Sequence, residues 1–527
     1  MTDAPGRWPG CSRRPLAAPP VQSAPASRRH FVGIGAGLLW ASASRDAWPL
    51  ARLAERNPSA CRLQPVQRQP PADHVDVRAH GAHGDGVRDD GAAIQRALNA
   101  LKPGQWLLFP PGRYLHATRL VVAQQGATLS GYGATLHATN PADQALLIQA
   151  PGVRVQGFTM TAVTDRRRDA PWESRLAIWR DGGQRAPLTD IELRDNRIIE
   201  SGAPGTPGAN SSSSAAIFVH GVHGFLVAGN EVRRSLSDGI HVTGGARHGR
   251  VIGNTVRESG DDMVAVVSYL LQGDAKSDPP ERIAAELQQR RERELVQDVL
   301  IADNDVAGQY WGRGISVVGG ERITISRNRI DATTHAAGIY IAREQGWGSF
   351  GVRQVVVAGN HVSRVQTTRP AYTVLDAPQR WQRTGHGAVE LVAHVFDDEA
   401  RWPVLRSALT VEAVGVWGNL IEDVATAGVR VGYGWGHSAF TSWRGPALAG
   451  ALRRYSGAAI RAVQLRDNRL LRVQSGGIEV LNVRDVRARM VCSGNTLDGR
   501  PLSPPGCAAA VAADAPVITG AAITCGA

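Results

Sequence analysis

From Val153 onward the apolar positions fall into short runs, and run after run ends on an asparagine. The series is Asn196, Asn230, Asn254, Asn304, Asn328, Asn360, Asn419, Asn468 and Asn495. The intervals 230–254 and 304–328 are both 24 residues. Between Phe225 and Tyr269 the chain says nearly the same thing twice. An apolar run leads to Gly229-Asn230-Glu231-Val232, a polar turn and Asp238-Gly239-Ile240-His241-Val242. The next leads to Gly253-Asn254-Thr255-Val256, a turn and Gly260-Asp261-Asp262-Met263-Val264. Apolar runs this short are strands, and a fixed period of this length is the mark of a solenoid. One turn of a parallel β-helix, three short strands and three turns, needs about that many residues. The asparagines are expected to be structural, opening turns where left-handed backbone is tolerated and bonding along the stack.

Two stretches change period. Ile94, Leu98 and Leu101 are spaced for one face of a short helix, with Asp89 or Asp90 as its N-cap. That helix would plug the open end of the solenoid, where a strand edge is otherwise exposed. Asp85, Asp89 and Asp90 are read as turn and cap residues rather than a metal or acid site. Asp278 to Asp298 reads as a charged helix led by prolines, inserted where the Asn254–Asn304 interval lengthens to 50 residues.

The resulting layout is an export signal over 1–43, a linker over 44–72, a cap with the first coils over 73–135 and a β-helix over 136–495. Insertions fall at 270–298, 369–410 and 433–458, and residues 496–527 form a C-terminal cap or tail. At 527 residues several globular domains would be the ordinary expectation, but a solenoid grows without splitting.

Composition adds less. With 43% hydrophobic and 20% charged residues the chain is globular. A net charge of +12 favours an acidic partner without choosing among them. No basic run with interleaved aromatics points to nucleic acid. The cysteines, Cys11, Cys61, Cys492, Cys507 and Cys525, have no metal-ligand spacing, and a Cys492–Cys507 disulfide fits an oxidising compartment. No metal or other cofactor is expected. Ser27-Arg28-Arg29-His30-Phe31-Val32 resembles a twin-arginine export signal. The apolar stretch Phe31 to Ala41 after it is too short to span a membrane, and Ala41-Ser42-Ala43 offers a cleavage site. A periplasmic or secreted protein, with no membrane insertion once the signal is removed, is the expectation.

The candidate chemistry sits on the doubled stretch. Stacked in register, Asp238 leads one coil and Asp261-Asp262 the next, about 4.8 Å away. Crowded carboxylates cannot all ionise readily, so a proton donor is expected beside carboxylates able to activate water.

Two stretches carry a family resemblance. His80-Gly81-Ala82-His83-Gly84-Asp85-Gly86 through the helix, Phe109-Pro110-Pro111-Gly112-Arg113-Tyr114 and Gly131-Tyr132-Gly133-Ala134 together resemble the cap and first coils of the pectate-lyase-like right-handed β-helix superfamily. Asp238-Gly239-Ile240 and Gly260-Asp261-Asp262 resemble the NTD and GDD motifs of its polygalacturonase-type glycoside hydrolases. The resemblance implies an all-β, right-handed parallel β-helix and an inverting hydrolase. It makes Asp262, or else Asp261, the general acid, with the other two aspartates holding the water. Where the family carries GHG this chain has Gly312-Arg313-Gly314. Its Arg-Lys pair, which grips a galacturonate carboxylate, is missing, with Arg343 the nearest cation. Gly385-His386-Gly387 repeats the lost letters in the wrong coil and is read as a turn.

Substrate contacts are expected from His241, Arg313, Trp311, Tyr340 and Arg343. His241 is either a proton carrier or an outward-facing strand residue. Thirteen Trp against eight Phe and eight Tyr suits a sugar-stacking groove, with Trp311 and Trp347 near the GDD coils and Trp435 and Trp443 in a loop. The expected partner is an acidic polysaccharide. A polysaccharide lyase or uronate epimerase, with Arg313 or His241 as base, is the second reading. A non-catalytic glycan-binding solenoid is the third.

Overall fold

A computed structural model describes residues 66–502, except 163–169, 181–185, 201–214, 272–277, 310–311, 369–383, 395–400, 433–458, 482 and 484–489. The export segment, Trp311, Trp435 and Trp443 therefore lie outside the described residues.

Short strands follow one another around a coil and pair in parallel with their counterparts on the next. They build three sheets of 13, 14 and 11 strands. One coil runs Val222–Ala228, Glu231–Arg233 and Asp238–Thr243; the next runs Arg247–Ile252, Thr255–Arg257 and Val264–Val267. Strand alternation sends every second side chain inward. In the third sheet Ile240, Val242, Val264, Val266, Ile315, Val317, Ile339 and Ile341 are all fully buried in one continuous core. The architecture is a parallel β-helix.

All nine asparagines are buried between the first and second sheets. Each of the first eight donates its main-chain N–H and its side-chain amide to the Oδ1 of the asparagine on the following coil. For Asn230 and Asn254 both bonds are 3.0 Å. Each side-chain amide also donates to a carbonyl, as Asn254 Nδ2 does to Val227 at 2.9 Å. One geometric expectation needs correcting. The left-handed residue is the one before each asparagine: Gly229, Gly253, Asp303 and Arg327 have φ of 66°, 64°, 57° and 55°. The asparagine itself must sit in ordinary backbone to keep its amide aligned with the stack.

The cap helix spans Gly91–Ala100 and buries Ala93, Ile94, Ala97 and Leu98. It covers the end strand of the third sheet, Leu120–Val122. The Gln95 side chain takes both exposed backbone groups of Val121, accepting its N–H at 2.8 Å and donating to its carbonyl at 3.0 Å. Asp90 occupies the N-cap position but its carboxylate accepts instead from the N–H groups of His83 and Gly84, at 2.6 and 3.0 Å. Asp85 and Asp89 likewise accept from nearby main-chain N–H groups, as turn residues do.

The first insertion carries helices Pro280–Ala285 and Leu287–Glu294. Its apolar side packs with Leu270, Leu271, Phe350 and Leu405 in a separate small core.

Candidate active site

The site lies on the outer face of the third sheet. Register alone sets its spine. Phe218, His241, Ala265, Ser316, Tyr340, Glu390, Arg430 and Glu479 occupy equivalent positions on successive strands and form one column. Neighbours in such a column are about 4.8 Å apart, so side chains from distant parts of the sequence meet there.

Asp238, Asp261 and Asp262 converge at the upstream end of that column, one oxygen from each lying within 4.8 Å of the others. Asp238 and Asp262 are buried, at 2% and 5% exposure, and Asp261 is partly exposed. Asp238 Oδ1 accepts the main-chain N–H of Asp262 at 2.9 Å, and its Oδ2 lies 2.6 Å from His241 Nδ1. Asp262 Oδ1 in turn accepts the N–H of Arg313 at 2.6 Å, and its Oδ2 accepts the Ser316 hydroxyl at 2.5 Å. The Arg313 guanidinium stands 3.6 Å from the same oxygen. A carboxylate only accepts, so every one of these contacts presents a hydrogen to an anion. Gly312 makes the approach possible: a Cβ there would collide with the carboxylate oxygens of both Asp261 and Asp262.

Arg313 is held on three sides. Besides Asp262 it pairs with Glu344, and its guanidinium lies over the Tyr340 ring at 4.4 Å from the centroid. Burial opposes its charge, but Glu344 and Asp262 outweigh burial and hold it cationic, above the usual arginine range. His241 is 2% exposed and stacks on Phe218 at 5.4 Å. Burial lowers its pKa to about 4, with Asp262 opposing in part, so the ring is neutral and its Nδ1 proton is shared with Asp238.

The expected contact residues divide. His241 and Arg313 touch the aspartates, and Tyr340 lies against Arg313 on the strand beyond Ser316. Arg343 does not: it is fully buried and its guanidinium bonds the His394 carbonyl. It stands three positions after Tyr340, and strand alternation turns it the other way. Trp347 is 50% exposed, the one large aromatic so exposed among the described residues.

Four residues at the site carried no sequence expectation of a role. Ser316 could have been found, since it shares the register of His241. Glu344 and Tyr269 could not. They meet through a turn in which Ser349 bridges to Tyr269 and Phe350 N–H donates to the Ser268 carbonyl at 2.9 Å, outside the repeat. Burial, with Asp238 and Glu344 adding to it, pushes the Tyr269 hydroxyl well above its ordinary pKa. His386 does precede its strand in a loop, as expected, yet its ring meets Tyr340 edge-on at 5.8 Å. Burial, helped by Arg313, drives its pKa well below the usual value.

The three aspartates are also the one group among the described residues with three ligand-type side chains close enough to hold a cation. Their oxygens are partly committed to the donors above. Cys492 is disulfide-bonded, to a partner outside the described residues.

Residues 74–169 match the family model described as rhamnogalacturonase A/epimerase, pectate lyase-like. No curated protein sequence matches the chain. Among solved structures, the catalytic domain of a GH87 alpha-1,3-glucanase in complex with nigerose is 12% identical. The match covers 82% of this chain and 70% of that one, with a TM-score of 0.50. The mannuronan C-5 epimerase AlgE6 A-module of Azotobacter vinelandii is 15% identical over 82% and 100%, at 0.41. The surface adhesin PfbA of Streptococcus pneumoniae is 13% identical over 80% and 89%, at 0.46. The glucanase domain is also represented with alanine in place of aspartate at positions 1045, 1068 and 1069 of its own chain. The N-terminal coils thus match the rhamnogalacturonase A/epimerase family, and the chain has the fold of the pectate-lyase-like parallel β-helix superfamily.

Proposed function

We propose that this protein hydrolyses a glycosidic bond in a polysaccharide at the Asp238, Asp261 and Asp262 cluster. The observation that carries the reading is the convergence of three carboxylates from two adjacent coils, one of them open to solvent, within 4.8 Å. Glycoside hydrolysis needs a positioned acid and a carboxylate that activates water. Asp238 and Asp262 take the second role. Each accepts two or more hydrogens and keeps acceptor capacity for a water. Asp261 takes the acid role in preference to Asp262, because it alone of the three is exposed enough to reach a leaving oxygen. The glucanase aspartates at 1045, 1068 and 1069 have the same spacing as 238, 261 and 262.

The oxygens stand closer than the roughly 6.5–9.5 Å typical of an inverting pair. That spacing is nearer the roughly 5–5.5 Å of a retaining pair, so inversion is expected from the resemblance to the inverting hydrolase motifs and not from the distance, with the water in the joint grip of Asp238 and Asp262. The lyase or epimerase reading has less support. It needs Arg313 or His241 as base, and the first is locked as a cation while the second is buried against Phe218. The periplasmic or secreted setting rests on the twin-arginine resemblance and on the disulfide at Cys492.

Incubation with a panel of polysaccharides tests the reading. Hydrolysis yields new reducing ends, with the first anomer seen by NMR inverted, and a chelator leaves the rate unchanged. Ultraviolet absorbance from an unsaturated uronate, or loss of activity with calcium removal, would replace it by a lyase.

A further inference from the structure

The site's own charges bear on its substrate. Among the described residues, two arginines lie on or beside the column downstream of the aspartates, and both are already neutralised. Arg313 is shared by Glu344 and Asp262. Arg430, at 3% exposure, is bonded to Glu479 at 2.8 Å and stands 3.8 Å from Glu390. Arg343 faces the His394 carbonyl. Among the described residues carboxylates therefore outnumber cations along the column, although the chain as a whole carries +12. A uronate entering here would meet like charge at close range and, among the described residues, no guanidinium left to pair with it bidentately.

Another feature supplies a different means of grip. Trp347 is half-exposed on a loop tied down at several points. Glu344 N–H donates to Ser349 Oγ at 2.8 Å, Gly348 N–H to the Gln345 carbonyl at 2.9 Å, and the Gly348 carbonyl accepts from Leu270 and Leu271, both at 2.9 Å. The same loop carries Glu344, which holds Arg313 beside the aspartates. An indole kept open to water on a braced loop offers a flat face for a pyranose ring at little ordering cost.

We infer that the site takes a polysaccharide without carboxylate groups, neutral or amino-bearing, gripped by ring stacking on Trp347 instead of charge pairing. This rests on the hydrolase reading for where the chain lies, and it reverses the acidic substrate expected from net charge and from the resemblance. Arg313 then orients Asp262 and does not bind the sugar.

Affinity electrophoresis of the full chain through gels holding one glycan each is the test. The probes are neutral glucans, a partly deacetylated chitin, polygalacturonate and alginate, at low and high salt. Retardation is expected with at least one neutral or amino glycan, roughly tenfold stronger than with either uronate at low salt, where surface charge is least screened. Trp347→Ala should weaken retention roughly tenfold and Trp347→Phe much less, with melting temperature as the check on folding. Glu344→Gln should increase retention by the uronates. Retention by the uronates alone, or by none of the probes, overturns the inference; an unchanged Trp347→Ala overturns its stacking part. Cleavage of a retained glycan is assayed separately. Binding without new reducing ends sinks the hydrolase reading and leaves the specificity standing.

Discussion

Asp261→Asn separates catalysis from scaffolding. Asp261 is the most exposed of the three carboxylates, so the amide fits the same space without stranding a deeply buried charge. As the acid Asp261 holds a proton, so the neutral amide leaves the charge of the group packed within 4.8 Å unchanged. Folding stability should therefore move by no more than about 1 kcal/mol, the ordinary range for a partly exposed substitution. Turnover should fall much further. A positioned general acid contributes roughly 100- to 10,000-fold, which is about 3–5 kcal/mol in the barrier. The loss should depend on the leaving group. An aryl glycoside whose phenol leaves without protonation should recover most of the lost rate; the natural glycosidic oxygen should not. Melting and reducing-end release are measured on one preparation, with Asp262→Asn alongside. That second variant should lose stability as well as rate, because it faces an amide NH2 toward the Arg313 guanidinium and deprives Ser316 of its acceptor. If Asp261→Asn keeps its rate within about fivefold on the natural polymer, the acid is elsewhere. A rate that falls only in step with melting would make the cluster structural.

Asn254→Ala should cost on the order of 4 kcal/mol or more, read as a drop in denaturation midpoint, because the Asn230 N–H and the Val227 carbonyl lose buried partners together. Stability should fall as pH drops below about 6.5. His116, His220 and His394 are lowered to about 3 and His241 to about 4 by burial, so the unfolded chain takes up protons that the fold refuses; His241 alone is worth about 3 kcal/mol by pH 4. Glu390 works in the opposite sense. Burial raises it to about 7 against the pull of Arg430, so stability declines from about pH 4.5 to 7, and Glu390→Gln should flatten that limb of the melting profile. Replacing Arg28 and Arg29 by Lys should leave the protein in the cytoplasm on fractionation; unchanged export would remove the twin-arginine reading.

Which of these residues can be read from the chain follows from how each is held. The asparagines and the Asp238, Asp261 and Asp262 set repeat with the coil, so a 24-residue period is enough to place them. Ser316 obeys the same period but hides behind the helical insertion that stretches its coil. Glu344 and Tyr269 obey no period; a non-repeating turn through Ser349 brings them in. His386 is legible as letters, yet it follows an insertion whose path no periodicity describes. Arg343 is misplaced when it is taken as the nearest cation to the missing Arg-Lys pair without regard to strand parity. Charge bears on the inferred substrate in a related way. Net charge averages over the whole surface, whereas on that inference a substrate meets the local sum of side chains on one column, where the described arginines are already paired.

The site reuses the device that holds the solenoid together, with its direction reversed. In the asparagine ladder the Oδ1 of one coil accepts the N–H of the coil before it. At the aspartates the Oδ1 of one coil accepts the N–H of the coil after it, from Asp262 to Asp238 and then from Arg313 to Asp262. An asparagine spends donors and acceptor alike on the stack. An aspartate has only acceptors, so after satisfying the stack it still offers lone pairs to water. Asp238 and Asp262 are thereby fixed by coil-to-coil hydrogen bonds as the ladder is, which on the proposed reading is the preorganisation a water-activating pair needs. On the proposed reading the grip on the sugar comes from elsewhere, from the Glu344–Ser349 turn. That turn can change without disturbing a single asparagine rung. Exchanging the Trp347 turn should therefore change which glycan is held while leaving the three carboxylates in register.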